Sequence, residues 1–367
     1  MSNILSYLLI FVLVFQTFFA NFAIARNDRN DKNPIDPSKG TLIPGYCRLY
    51  ETQEGLLLGA TGGPGGQAAV GYSEDGGKTW SQNTPASFAA GRDCANFIFC
   101  EYEGDVYLTY RANSDQQDGF YSSIRVSRST DGGRTWQEHS IVEESVEASH
   151  DYRGLWESYI GVMNGKLAVM YCNDSRAITT MQYIFCEIWN GSEWTDQFVV
   201  CDGEKNNSRD GMPAWRQLSD GKYVMVIESS RYRDAGHSFV IRMLWSEDGR
   251  RWNGPKDVYI PKKNKAKACS TDVIELPDGR LAVSFMTNED VELGKGNDQN
   301  CIAKIIYTTE KLDVSEITRS SFTSAKKLYP SKYDDASVWG MMSYANGKIY
   351  YGANTKFGDV GLIIPIA

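Results

Sequence analysis

The chain has 367 residues, with 38 Lys and Arg against 46 Asp and Glu and a net charge of −8. That length is ample for a large core in one domain or two. The acidic balance leaves no basic stripe to neutralise phosphates, which argues against nucleic acid and against an anionic membrane surface as partners.

The first 25 residues carry no charged side chain. Ile4 to Ala20 is almost wholly apolar, and Ala23, Ile24 and Ala25 form a small-x-small cleavage signature before Arg26. Residues 1–25 therefore read as a signal peptide, with a secreted, extracellular product. The apolar run is near the lower limit for spanning a bilayer, so an uncleaved anchor is the alternative. Residues 26–40 are polar and charged and read as a flexible arm, leaving 41–367 for the folded domain.

The high glycine count of 34 and the 12% aromatic content, with few long helical patterns, point to an all-β chain rich in turns. A repeat organises it. SEDGGKTW over Ser73–Trp80 recurs as STDGGRTW over Ser129–Trp136, in shorter form as SEDGRRW over Ser246–Trp252, and in worn form as WNGSEW over Trp189–Trp194. The closing tryptophans, Trp80, Trp136, Trp194 and Trp252, stand 56, 58 and 58 residues apart. Two further periods reach the C-terminus, which makes six units.

The box is a local device: Asp caps amides in a tight turn, Gly takes positive φ, and Trp packs on the turn's own sheet. The boxes are thus expected to be structural. Alternating apolar strands accompany them, most following turns such as Asn164-Gly165, Asp220-Gly221, Asp278-Gly279 and Asn346-Gly347. Units of this length with four short strands each predict a six-bladed β-propeller. Gly62–Gly66 reads as a turn rather than a phosphate cradle, and no serine-hydrolase elbow, P-loop or dinucleotide fingerprint is present.

Eight cysteines are present, at 47, 94, 100, 172, 186, 201, 269 and 301. In an oxidising compartment an even count suggests disulfides, with Cys94/Cys100 and Cys172/Cys186 as candidate local staples. With no CxxC and three histidines, a zinc site is not expected. Sequons at Asn173, Asn190 and Asn206 fit a secreted surface.

Several segments together resemble one branch of the sialidase-like propellers, the exo-acting arabinanases of glycoside hydrolase family 93. They are Asn96–Phe99, Tyr110–Asn113, Gly154–Glu157, Asp210–Pro213, Val226–Glu228 and Val283–Asp290. The resemblance runs from about residue 40 to the end.

Within these segments Glu157 and Glu228 each sit in an apolar strand context, as LWE and MVIE. They lie a little over one repeat apart, so they project from different blades into one cleft. A carboxylate buried in such a strand needs a partner or a task. Glycoside hydrolysis needs two carboxyl groups, one protonated and one ionised. The resemblance implies a retaining mechanism with Glu157 as acid/base and Glu228 as nucleophile; residue types alone leave those roles open. Structural ion pairing is the alternative, with Arg153 near Glu157 and Arg231 and Arg233 just past Glu228.

Trp156 and Trp339 are candidate sugar-stacking platforms, and Asn96, Arg111 and Asp290 candidate hydrogen-bonding residues. His150 is a candidate for tuning Glu157, with an ordinary loop role as the alternative. The expected substrate is a neutral poly- or oligosaccharide, by resemblance linear α-1,5-L-arabinan cut to arabinobiose from the non-reducing end. Two-carboxylate chemistry needs no cofactor or metal, and a monomer is expected.

Two other classes compete. A sialidase would need three converging arginines and a Tyr nucleophile, for which Arg48, Arg231 or Arg242, and Tyr344 are the nearest residues, and the set is incomplete. A non-catalytic carbohydrate-binding propeller would keep the boxes and lose the paired carboxylates.

Overall fold

The computed structural model describes residues 35–366 apart from 117–118, 148–152, 178, 180, 233–235, 292–299 and 335, with backbone alone at 64, 115 and 116. The chain divides into units before and after Pro34. The expected signal peptide, the arm up to residue 34, His150 and Arg233 lie outside the described residues. The rest of the arm is placed: Ile35 is fully buried and bridges Ile366, and Pro37–Lys39 forms a 3-10 turn capped by Asp36.

The folded unit is a six-bladed β-propeller of six four-stranded antiparallel sheets. The innermost strands of blades 1 to 6 are Arg48–Glu51, Asp93–Tyr102, Leu155–Met163, Asp210–Gln217, Ala268–Glu275 and Ser337–Ala345. The ring is closed by the first strand, Thr41–Pro44, which pairs with the last, Gly358–Pro365, and completes blade 6. Two-residue turns set the hairpins: Asn164-Gly165 and Asn346-Gly347 both take positive φ at each residue, the mirror-image geometry that suits strand twist.

Three boxes and the worn copy join the third strand of a blade to the fourth. Asp131 Oδ1 accepts the amides of Arg134 at 3.0 Å and Thr135 at 2.9 Å, and Ser129 Oγ donates to it at 2.7 Å. Asp75 repeats this on Lys78, Thr79 and Ser73, and Asp248 on Arg250, Arg251 and Ser246. In the worn copy Asn190 takes the same role, accepting from the amides of Ser192 and Glu193. Between blades the packing is size-matched. Trp215 is fully buried against Gly161, where a Cβ would stand 2.9 Å from the indole, and Trp215 Nε1 donates to Tyr159 O.

Neither expected staple forms. Cys94 and Cys100 lie six residues apart on one strand, about 20 Å at the strand rise, far beyond disulfide reach. Cys172 faces Ile184, which puts Cys186 two residues along the neighbouring strand, on a diagonal roughly 7–8 Å away. The Asn173 sequon is also corrected: the side chain is buried and its Oδ1 accepts from Ser175 N and Oγ.

Candidate active site

Five of the six innermost strands are broken by a register shift near their start. The shifts fall between Ala95 and Ile98, Trp156 and Ser158, Gly211 and Ala214, Cys269 and Asp272, and Val338 and Met341. Four of these bulges hold a non-glycine residue at positive φ: Asn96 at 62°, Met212 at 49°, Ser270 at 50° and Trp339 at 57°. Each such residue costs about 1–2 kcal/mol of backbone strain. A bulge re-aims a side chain and releases backbone groups from the ladder. Repeated from blade 2 to blade 6, it forms a ring at one mouth of the channel.

Glu157 is the bulge residue of blade 3, between Trp156 opposite Cys172 and Ser158 opposite Tyr171, and is half-buried. Glu228 is buried on the second strand of blade 4, opposite Gly211 at the edge of that blade's bulge. The blade 5 bulge serves it directly: Ser270 N donates to Glu228 Oε2 at 3.1 Å. Arg209, just before the blade 4 strand, sets Nη1 3.9 Å from Glu228 Oε1 and Nη2 4.0 Å from Asp174 Oδ2. Asp174 Oδ1 accepts from Gly154 N at 2.7 Å and Trp156 Nε1 at 3.0 Å, fixing the segment that leads into Glu157.

The two carboxyls are electrostatically coupled. Burial, then the Glu157 charge, lifts Glu228 to about 7, against Arg209, the Ser270 amide and Lys267. Burial also raises Glu157, while Arg209 and Arg111 pull it back. Like charges in one site resist joint ionisation, so the two carboxyls titrate as a linked pair.

Of the sequence candidates, Asn96, Arg111 and Trp156 gather on the Glu157 side, while Trp339 and Asp290 are placed apart from them. Arg111 Nε donates to Asn96 Oδ1 at 3.1 Å, its Nη2 pairs with Asp93 Oδ2 at 3.1 Å, and its guanidinium lies 5.7 Å from the Trp156 ring centre. Trp156 stacks on Phe120 at 5.7 Å. Trp339 occupies the blade 6 bulge, where its amide meets Met286 Sδ. Asp290 is placed elsewhere. With Glu289 it pairs to Lys304 on the third strand of blade 5, at 2.7 and 2.6 Å, in a groove shared with the outer strand of blade 4.

Arg153 does not pair with Glu157; it donates to the carbonyls of Ala177 and Thr179. Of the arginines weighed for a sialidase, two are tied elsewhere than to the carboxyl pair. Arg242 is bound to Asp257 and Pro255 O on outer strands, and Arg48 lines the channel itself. Tyr344 lies at the far end of its strand from Trp339, packed in a separate apolar cluster. Sequence reasoning missed Arg209, Asp174 and Ser270. The available signals were a cation directly before Asp210–Pro213 and an acid hidden inside the Asn173 sequon. Among the described residues no group of three or more His, Cys, Asp or Glu is arranged to hold a metal ion.

No family model matches the chain, and no curated protein matches it. Solved structures do. An α-L-arabinanase from Penicillium chrysogenum complexed with arabinobiose aligns at TM-score 0.61 and 15% identity, over 90% of this chain and 94% of that one. The GH93 α-L-arabinofuranosidase of Fusarium graminearum with arabinobiose aligns at 0.62 and 17%, over 91% and 95%. The NanB sialidase of Streptococcus pneumoniae aligns at 0.55 and 12%, over 88% and 68%. At such identities the likeness establishes the propeller fold.

Proposed function

We propose that this protein is a retaining glycoside hydrolase of the family 93 type, exo-acting on linear α-1,5-L-arabinan. The observation that carries the reading is the buried Glu157–Glu228 pair sharing Arg209. Two carboxyls brought together in this way can supply an acid and a nucleophile, which a binding propeller has no need to gather in one cleft.

Arg209 favours the ionised form of both carboxyls, and the Ser270 amide adds to this at Glu228 alone; we assign Glu228 as the nucleophile, as the family resemblance implies. Glu157, less deeply buried at its bulge than Glu228, is the acid/base. Glu157 gives its proton to the leaving glycosidic oxygen while Glu228 attacks the anomeric carbon, forming a glycosyl ester. Water then adds at that carbon, Glu157 takes the water's proton, and Glu228 leaves as carboxylate. Protonated Glu157 beside ionised Glu228 is the competent one-proton state.

Exo action is supported by blade 2. Its second strand, Asp105–Gln116, passes the start of the innermost strand, where Asn113 faces Asp93. Ser114–Gln116 and their partners Gly119–Tyr121 therefore overhang the mouth by about 10 Å. Phe120 in this hairpin stacks on Trp156 next to Glu157, walling one side of the cleft. Export with cleavage after Ala25, a secreted monomer and arabinobiose as product complete the proposal.

The test is product analysis on linear α-1,5-arabino-oligosaccharides, with sialyllactose in parallel. Release of one short arabinose product supports the reading. Release of sialic acid, or inertness of the folded protein on both, overturns it.

A further inference from the structure

Directly behind the ring of bulges, the innermost strands line a small cavity that includes Arg48, Tyr50, Tyr159, Arg216, Asp272 and Met342. It has room for one small species. Most of its polar groups are satisfied. Asp272 accepts from Tyr159 Oη at 3.0 Å, Val273 N at 2.8 Å and Met342 N at 2.7 Å. Arg216 donates to the carbonyls of Val273 and Met342, both at 3.1 Å, and its charge offsets that of Asp272.

Arg48 is the exception. Its side chain is buried, with 7% of the residue exposed, and Nη1 donates to Cys47 O at 2.8 Å. Its Nε is buried without a hydrogen-bond partner, and its one side-chain hydrogen bond among the described residues goes to a backbone carbonyl rather than a carboxylate. Tyr351, fully buried on the second strand of blade 6, also has a hydroxyl without a partner, and it feels the charges of both Arg48 and Asp272. One guanidinium in the cavity lining thus lacks a paired carboxylate, and its Nε–H lacks an acceptor. A buried charge left uncompensated is strongly disfavoured. Water would answer the donors but not the charge, and a cation would meet two arginines.

We propose that this cavity binds one small monovalent anion of the halide class, held by Arg48 Nε–H and balanced against Arg48, with Arg216 cancelling Asp272. The anion would tie blade 1 to blades 4, 5 and 6.

The full chain is to be melted in gluconate buffer at fixed ionic strength while chloride or bromide replaces gluconate, with N-acetylneuraminate as a separate arm. Saturable stabilisation by either halide is expected, lost in Arg48→Met and weakened tenfold or more in Arg48→Lys. A bromide-soaked crystal should show one anomalous peak in the cavity; this second readout holds even if the Arg48 variants fail to fold. No halide-specific stabilisation, equal stabilisation of Arg48→Met, or an empty cavity in bromide would overturn the proposal. So would stabilisation by N-acetylneuraminate alone, which would give these arginines to a sugar acid.

Discussion

The amide of Ser270 and the carboxylate of Glu228 meet across two blades, at 3.1 Å. The contact exists because Ser270 sits at φ 50° in a bulge, where its N–H is free of the strand ladder. The strain in one blade thus sets the chemistry of a side chain in the next.

The first prediction concerns the pair itself. Glu157→Gln and Glu228→Gln should each fold normally and lose turnover by roughly a thousandfold or more, because each removes one half of a two-carboxyl mechanism. Steady-state rates on arabino-oligosaccharide, with circular dichroism as the fold control, provide the check. Near-wild-type turnover in either variant would remove that residue from the mechanism.

Glu228 also links stability to pH. A carboxyl lifted from its ordinary 4.5 to about 7 binds more proton folded than unfolded between those values. Folding stability therefore falls as pH rises through that window, and the penalty is complete above it. The lift corresponds to roughly 3 kcal/mol. Glu228→Gln carries no such penalty. It should melt several degrees above wild type at pH 8 and close to wild type at pH 4, as calorimetry at the two pH values would show.

Arg209 should set the position of the pH–rate profile. It lowers the pKa of both Glu157 and Glu228, so Arg209→Met raises both. The acid limb, which reports ionisation of the nucleophile, should move to higher pH by about one unit, with the basic limb following. Arg209→Lys keeps the charge and should restore most of the shift. Profiles of kcat/KM for the three proteins separate this from a structural role, which would lower the rate without moving the limbs.

What was legible in the sequence depended on range. The boxes declare themselves because Asp131 works on groups within four residues of itself. Glu157 and Glu228 were visible as carboxylates within apolar strands. Features that depend on register were not visible. Ser270 joins the site only through a bulge, and Asp290 leaves it because Lys304, on another strand, holds it. The cysteine expectations failed for the same reason: sequence proximity placed Cys94 and Cys100 together, whereas one extended strand holds them apart.

The boxes yield a stability prediction. Asp131→Ala removes the acceptor for Arg134 N, Thr135 N and Thr135 Oγ1, at a cost on the order of 1–3 kcal/mol. Thermal melts should show the loss while kcat stays unchanged, since the box lies between outer strands. Asp131→Asn should lose less, because Asn190 already fills this role with its amide oxygen.

Gly203 offers the sharpest separation of sterics from conformational freedom. A Cβ there would stand 2.1 Å from Gln182 O and 2.5 Å from Ser208 O, both backbone atoms. Neither can retreat freely. Gln182 bridges Arg209, while Ser208 donates its amide to Gly203 O and its hydroxyl to Asp210. Gly203→Ala must therefore move the segment that delivers Arg209 to the pair. It should cost about 1–3 kcal/mol, and it should shift the pH–rate profile in the same direction as Arg209→Met. Gly191→Ala is the control: Gly191 sits at φ 105° with nothing within 4 Å of an added Cβ. That change should cost about 1 kcal/mol of backbone strain and leave the profile where it was. An unmoved profile in Gly203→Ala would mean that Arg209 holds its place without the Gly203 turn.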